Sequence, residues 1–426
     1  MLNNEKVLHY IWKFRQYDAV AIKSSNKEDL EVIHPGTANL DAGPDFYHSK
    51  IKIDDTLWAG NVEIHVKSSD WFKHHHEKDK AYDNVILHVV WEHDADVFRS
   101  DGTLIPTLSL KNKVSEDLLN RINDLYTNLN WIACEYKIGE IEDYSISFWL
   151  ETMLIERLQE KSIYFEHLHQ QLKGSWEDTF YVGLARSFGF KVNCLPFELL
   201  AKYLPQQILS KHKDHPLQIE ALVFGVSGLL LPHLKDNYPK QLIKEFEFLK
   251  KKYNLYVLEP FLWKFARTRP DNFPTIRIAQ FAALIIKSVH LFSKIIDANN
   301  YKDLKSLFSQ LSIHKYWDNH YTFDTESNRN SKKLGEKSID NLIINTVVPL
   351  LFYYGKQMGK DNLVEKAISI LMDMKSEKNT IIEKFNLVGL KVNSAFESQA
   401  LIQMKKNHCD QKKCLNCGIG IKVLNA

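Results

Sequence analysis

Two carboxylates and a set of imidazoles stand close together near the N-terminus of this chain. Asp45 follows Pro44 and opens the β-rich run Phe46–Ile53, and Glu63, His65 and Lys67 alternate along the end of the next such run. In an extended strand, alternate side chains share a face. Glu63, His65 and Lys67 therefore project together, with Val62, Ile64 and Val66 on the opposite, buried face. If the two runs pair as a hairpin, Asp45 approaches Glu63 across the ladder. Two carboxylates held side by side repel unless a cation lies between them. Mg²⁺ or Mn²⁺ accepts such oxygens and completes its shell with water and a substrate phosphate. That metal would activate a water for attack on phosphorus, and His65 or Lys67 would position the water or steady the developing charge. Asp45, Glu63, His65 and Lys67 are thus the candidate catalytic residues, with Asp45 and Glu63 the metal ligands.

Eight of the 18 histidines fall in the 61 residues 34–94, several times the share an even spread would give, which marks this stretch as the place for chemistry. His74, His75 and His76 are consecutive and cannot all face one ion, so an exposed helix near a phosphate path is expected for them. His88, inside an apolar run, is expected in the core.

The elements that must position these residues follow from periodicity. Residues 4–14 read as a helix with Val7, Leu8 and Ile11 on one stripe. Between residues 31 and 110 the pattern turns to short β-rich runs at Phe46–Ile53, 57–66, 85–91 and 104–110, with Asp54-Asp55-Thr56 as a hairpin turn. A polar, helical stretch over 70–83 separates the second run from the third. Beyond residue 114 the pattern is helical almost to the end. Trp149, Met153, Leu154 and Leu158 fall on one face. Pro274 sits where a helix can begin, with Ile278, Phe281, Ala282, Ile285 and Val289 at helical spacing. The fold class expected is α+β: an N-terminal α/β module over 1–113, a large all-α region over 114–400, and a cysteine-rich tail over 401–426.

The order helix, strand, strand, helix, strand, with Pro44-Asp45 before one strand and Glu63-Ile64-His65 on the next, resembles the restriction-endonuclease-like PD-(D/E)XK nucleases. The resemblance covers about the first quarter of the chain and implies metal binding by Asp45 and Glu63. His65 stands where that superfamily usually has lysine, and Lys67 on the same face would take the basic role. Over nearly the whole chain, the segments HPGTANLDAGPDF (34–46), WAGNVEIHVKSSDW (58–71), AYDNVILHVVWEHD (81–94), ARSFGFKVN (185–193), RTRPDNFPTIRIAQ (267–280) and CLNCGIG (414–420) are similar to the uncharacterised bacterial family known as domain of unknown function 2851. That likeness implies a shared fold and no activity.

Bulk properties narrow the class. With 55 basic against 53 acidic residues, any nucleic-acid surface has to be local. The N-terminus lacks a secretory pattern, and no stretch approaches the roughly 20 apolar residues of a membrane span. An odd count of five cysteines, three of them in the tail, does not form a disulfide framework and points to a reducing cytoplasm.

Two further sites are candidates. Lys264, Arg267, Arg269 and Arg277 cluster around residues 270–274 beside Phe265 and Phe273, an arrangement suited to phosphate contact and base stacking in DNA or RNA; carboxylates such as Glu259 and Asp271 are the competing partners. The polar loop 327–337, with Arg329, Lys332 and Lys333, reads as a solvated face. In the tail, Cys409, Cys414 and Cys417 are spaced C-x4-C-x2-C, three thiolates of a tetrahedral zinc site, with His408 or Cys134 as the fourth ligand. The spacing is also loosely similar to the C-terminal iron–sulfur loop of endonuclease-III-like DNA glycosylases, which has a further cysteine. The function expected is metal-dependent hydrolysis of a nucleic-acid phosphodiester. A non-catalytic nucleic-acid binder with a degenerate nuclease fold and a helical scaffold stand beside it.

Overall fold

A computed structural model of the chain describes residues 4–39, 41–288 and 290–425, so Val289 of the helical stripe above lies outside the described residues. The fold is mixed α+β, with a mixed sheet near the N-terminus and a large helical region. Two compact units are present: residues 1–149, 386–390 and 404–426 form the first, and residues 150–385 and 391–403 the second.

The first unit opens with α1 (Glu5–Lys13), whose N-cap Asn4 accepts a hydrogen bond from the Lys6 amide. Its strands are β1 (Leu30–His34), β2 (Thr37–Ala38), β3 (Phe46–Ile53), β4 (Thr56–Lys67), β5 (Val85–Glu92) and β6 (Thr107–Ser109). They run in the order β1-β3-β4-β5-β6, with β2 beside β3. The pairs on the β1 side of β4 are antiparallel, and β4, β5 and β6 are parallel. Asp54, at φ 49°, turns the chain from β3 into β4.

Three expectations change in detail. Periodicity does not show β1 and β2. The run 104–110 narrows to the three residues of β6. The stretch 70–83 is not one helix but the short α2 (Asp70–Lys73) and two 3₁₀ turns, His76–Lys78 and Lys80–Tyr82. His75, at φ 61° in the left-handed region, ends α2 and reverses the chain.

One face of the sheet carries Phe46, Ile51, Val62, Ile64, Leu87 and Val89 into the main core. That core also takes Leu8, Ile11 and Trp12 of α1, Leu118 and Ile122 of α3 (Glu116–Thr127), and Leu415, Val423 and Leu424 from the C-terminal segment. The other face is covered where α2 places the fully buried Trp71 over the sheet. Residues Val62 to His65 are consequently buried on both faces, including two polar side chains that strand alternation alone would allow to meet solvent.

β3 carries a bulge. Phe46 pairs with Val62 and Ser49 with Gly60, so three steps on β3 oppose two on β4, and His48 takes φ 59°. Gly60 is confined there: a Cβ would meet Ile86 Cγ2 at 2.3 Å and the Asn84 carbonyl at 2.7 Å.

The second unit is built from helices, including α4 (Asp143–Gln171) from Leu150 onward, with one small hairpin, His320–Thr322 with Thr325–Glu326. A helix does begin at Pro274, and Ile278, Phe281 and Ala282 are buried along it. The buried Gln399 accepts from both Arg157 and Lys161. Among the described residues no single helix is long and apolar enough to cross a membrane.

Gly60→Ala is expected to lower stability by about 1–3 kcal/mol, because backbone as well as a side chain must shift to admit the methyl group. Urea unfolding would show this; an unchanged midpoint would mean β4 and β5 tolerate a wider separation.

Candidate functional site

The acidic pair is fixed by reciprocal bonds to the backbone. The Asp45 amide donates to Glu63 Oε2 at 3.0 Å, and the Ile64 amide donates to Asp45 Oδ2 at 3.0 Å. Each carboxylate thus ties its own strand to the other at the bulged end of the hairpin. Glu63 Oε1 faces imidazoles: His76 Nε2 lies at 3.4 Å and His65 Nε2 at 3.6 Å. On the outer side, His9 of α1 brings its Nε2 to 3.2 Å from Asp45 Oδ2.

The imidazoles converge through three local features. His65 shares the Glu63 face of β4, and His88 reaches that face from β5, where it pairs with Glu63 in register. His74 caps α2, and the left-handed turn at His75 returns His76 to the sheet. His65 Nε2 lies 3.1 Å from His74 Nδ1, and His65 Nδ1 lies 2.8 Å from His88 Nε2. Tyr82 stacks on His76 at 3.7 Å between ring centroids, and Trp71 packs edge-on at 5.3 Å. His65, His74 and His76 each present a ligand atom within 4.8 Å of the others, the only such group of three among the described residues.

Electrostatics sharpen this picture. Burial, then the charge of Asp45, push Glu63 up to about 9. Burial, then His76 and His74, bring His65 down to about 3. His88 is held well below the usual histidine value by burial and by His65. His9 behaves oppositely: burial works against its protonation, but Asp45, Glu5 and Glu63 outweigh it and raise its pKa. Burial therefore favours a protonated Glu63 beside neutral His65, His76 and His88, while Asp45 draws His9 toward its protonated form. A metal ion would take the place of the Glu63 proton. The ligand atoms that fit it are Nε2 of His65 and of His76, Nδ1 of His74 and Oε1 of Glu63, with His65 Nδ1–H held by His88 behind.

The residues expected from sequence separate accordingly. Asp45, Glu63 and His65 come together. Lys67 does not join them: it is exposed at the end of β4, and its charge acts on Asp94. His74, His75 and His76 were expected on an exposed helix; His74 is exposed at the end of α2 and still reaches His65, the turn at His75 brings the buried His76 back to the sheet, and His75 points away with its side chain 73% exposed. The density of histidines was the signal for them, and the reversal at His75 was not visible. His88 is buried, as expected, and is also a support for His65. His9 lies off the apolar stripe of α1 and gave no sequence signal.

In the second unit, Arg267 and Arg269 are exposed. Arg277 is buried and is not open to a phosphate: it donates to Gln280 at 2.9 Å, to Ser338 at 3.0 Å and to Asn272, and stacks on Phe190. Phe265 and Phe273 pack on each other at 5.3 Å. In the loop 327–337, Lys332 is likewise buried over the Tyr321 ring, whereas Arg329 and Lys333 face solvent.

A groove adjoins the cluster. About 940 Å³ in volume, it is lined by His9, by Lys6, Lys13, Lys412, Lys413 and Lys422, and by aromatic side chains that include Tyr144 and Phe148. No carboxylate lines it.

The Glu63 proton makes the metal-free protein pH-sensitive. A native carboxyl that keeps its proton to about 9, against 4.5 when unfolded, binds more protons than the unfolded chain over that range. Its contribution then becomes less stabilising as pH rises from the lower value to the higher, and no penalty exists below the unfolded value. Glu63→Gln should flatten this dependence, so that the variant gains on the wild type as pH rises from about 5 to about 9 in chelator. Parallel urea midpoints for the two proteins would contradict the buried protonated state.

A family model described as a protein of unknown function, DUF2851, matches residues 5–380, a span that holds every member of the acid–imidazole cluster and stops short of the tail cysteines. No curated protein and no solved structure matches the chain. Because the match takes in most of its length, the chain belongs to the DUF2851 family.

Proposed function

We propose that this protein is a metal-dependent hydrolase of nucleic-acid phosphodiester bonds, with Glu63, His65, His74 and His76 forming its metal site and Asp45 latching the Glu63 strand in place. The observation that carries the reading is the meeting, at His9, of the ligand cluster with a lysine-lined, carboxylate-free groove. Lysines attract the phosphate backbone, and exposed Tyr144 and Phe148 offer faces on which bases stack. The order of elements supports it too: a helix, four strands paired antiparallel, a short helix and two parallel strands, with Asp45 and Glu63 at the end of the β3–β4 pairing.

Ligand chemistry guides the choice of ion. Carboxylate oxygens suit Mg²⁺ and Mn²⁺, whereas imidazole suits zinc, iron and other transition ions. A site with three imidazoles and one carboxylate favours Mn²⁺ or Zn²⁺ over Mg²⁺. His9, whose pKa Asp45 raises, lines the groove and is placed to donate to a phosphate oxygen or to the leaving oxygen.

Purified protein would be tested on labelled single-stranded DNA, duplex DNA and RNA, each with Mn²⁺, Zn²⁺, Mg²⁺ or chelator. Cutting is expected with Mn²⁺ or Zn²⁺, reduced by about 10²-fold or more in Glu63→Gln and in His76→Ala. Salt-sensitive binding without cutting in any metal would replace this reading with a non-catalytic nucleic-acid binder. In a separate measurement, Lys413→Ala should leave metal binding intact and reduce the slope of log affinity against log salt by about one. An unchanged slope would remove the groove from the substrate path.

A further inference from the structure

We infer that Cys134, Cys409, Cys414 and Cys417 together hold an iron–sulfur cluster that anchors the C-terminal segment to the first unit. Cys134 lies in the turn after α3, more than 270 positions from the other three, and its carbonyl accepts from the amides of Lys137 and Ile138. The tail is packed against that turn. Lys412 donates to the Tyr126 and Asn128 carbonyls, Asn128 donates to the Ala133 carbonyl, and Lys405 lies 5.1 Å from the Trp131 ring centroid. Cys134 and Cys414 both pack on the main core, and Cys417 is buried.

The thiols lie within one another's fields. Burial raises the pKa of all four; Cys417 and Cys414 raise Cys134 further, and Cys417, Cys134 and Cys414 raise Cys409. None forms a disulfide. Four thiols drawn from two distant segments, with Cys417 buried and the other three partly so and no bond among them, are the arrangement a multivalent cation requires and a hydrophobic core does not. His408, the alternative fourth ligand, packs its ring against Trp149 at 5.5 Å.

Local structure also favours a sulfur-bound centre. The amides of Ile419 and Gly420, at the start of the helix Gly418–Asn425, donate to the Cys417 sulfur, the kind of bond that steadies a thiolate. Gly420 lets Cys414 approach: a Cβ there would meet the Cys414 carbonyl at 2.2 Å. Spacing selects the cofactor. No three of these sulfurs lie within 4.8 Å of one another, since only the histidine group meets that limit among the described residues. Zinc, with Zn–S bonds of about 2.3 Å, would draw four thiolates to about 3.8 Å apart. A cluster of several irons holds its four cysteines farther apart and fits the wider set.

The full chain would be purified without oxygen, and iron, acid-labile sulfide and zinc measured together with the visible spectrum before and after dithionite. About four iron and four sulfide per chain, with broad visible absorption that dithionite bleaches, is the expected result. Cys134→Ser and the more accessible Cys414→Ser should both lose it, Gly420→Ala should lose most of it, and Cys194→Ser should keep it. One zinc per chain and no iron would overturn the cluster assignment. Neither metal, after both native purification and reconstitution with iron and sulfide, would overturn the site, as would iron retained in full by Cys134→Ser.

Discussion

The paired bonds between the Asp45 and Glu63 segments hold the first unit's chemistry in place. Each carboxylate accepts an amide hydrogen from the opposite strand, at 3.0 Å in both directions. Such a latch does two things at once. It satisfies backbone donors at the bulged end of the β3–β4 pair, where the regular ladder is interrupted. It also consumes one oxygen of each carboxylate and leaves Glu63 Oε1 facing inward, where its neighbours are His65 and His76. A carboxyl so enclosed keeps its proton, and the imidazoles beside it stay neutral. Burial thus favours the uncharged forms of Glu63, His65 and His76, and a bound cation would replace the Glu63 proton.

That neutrality answers how three histidines and a glutamate are buried together without unfolding the sheet. Desolvating charges would cost several kcal/mol each, whereas neutral imidazoles need only hydrogen-bond partners. His65 finds two, in His74 and His88, and Trp71 and Tyr82 cover the rings. His75 sits in a left-handed conformation that most side chains avoid, and this strain is what brings His76 back to the sheet. A relaxed helix through His74–His76 would have spread the three rings around its axis.

These features explain what could be read from the residues alone. β3, β4 and β5 were legible because their apolar alternation is long. Asp45 and Glu63 were legible as a pair because a tight turn at Asp54 sets the hairpin register. β1 and β2 were not: the first exposes Glu31 and His34 along an edge, and the second has two residues, too few for a period. The His74–His76 convergence depends on one backbone dihedral. Arg277 looked like a surface cation because nothing local shows that Gln280, Asn272 and Ser338 surround it. The tail cysteines announced a site by spacing, and their fourth member was left open between two residues because the choice is a long-range contact.

The first unit thus presents two ligand sets of opposite chemical character. Imidazole and carboxylate at the sheet suit a borderline or hard ion with open positions for water, whereas four thiolates suit a soft, closed structural centre. Such a difference keeps the two sites from competing for one metal. Under the proposed function it would also give them separate tasks along one substrate path. Lys412, Lys413 and Lys422 belong to the segment that the thiolate centre would pin, while Lys6 and Lys13 belong to α1, which carries His9 to Asp45. The groove therefore has two walls: α1, held by its apolar stripe in the core, and the tail, held by Leu415, Val423 and Leu424 and, on the inference above, by the thiolate centre. Loss of the thiolate centre would loosen only the second wall, so it would weaken the grip on an anionic substrate while leaving the acid–imidazole cluster assembled on the sheet.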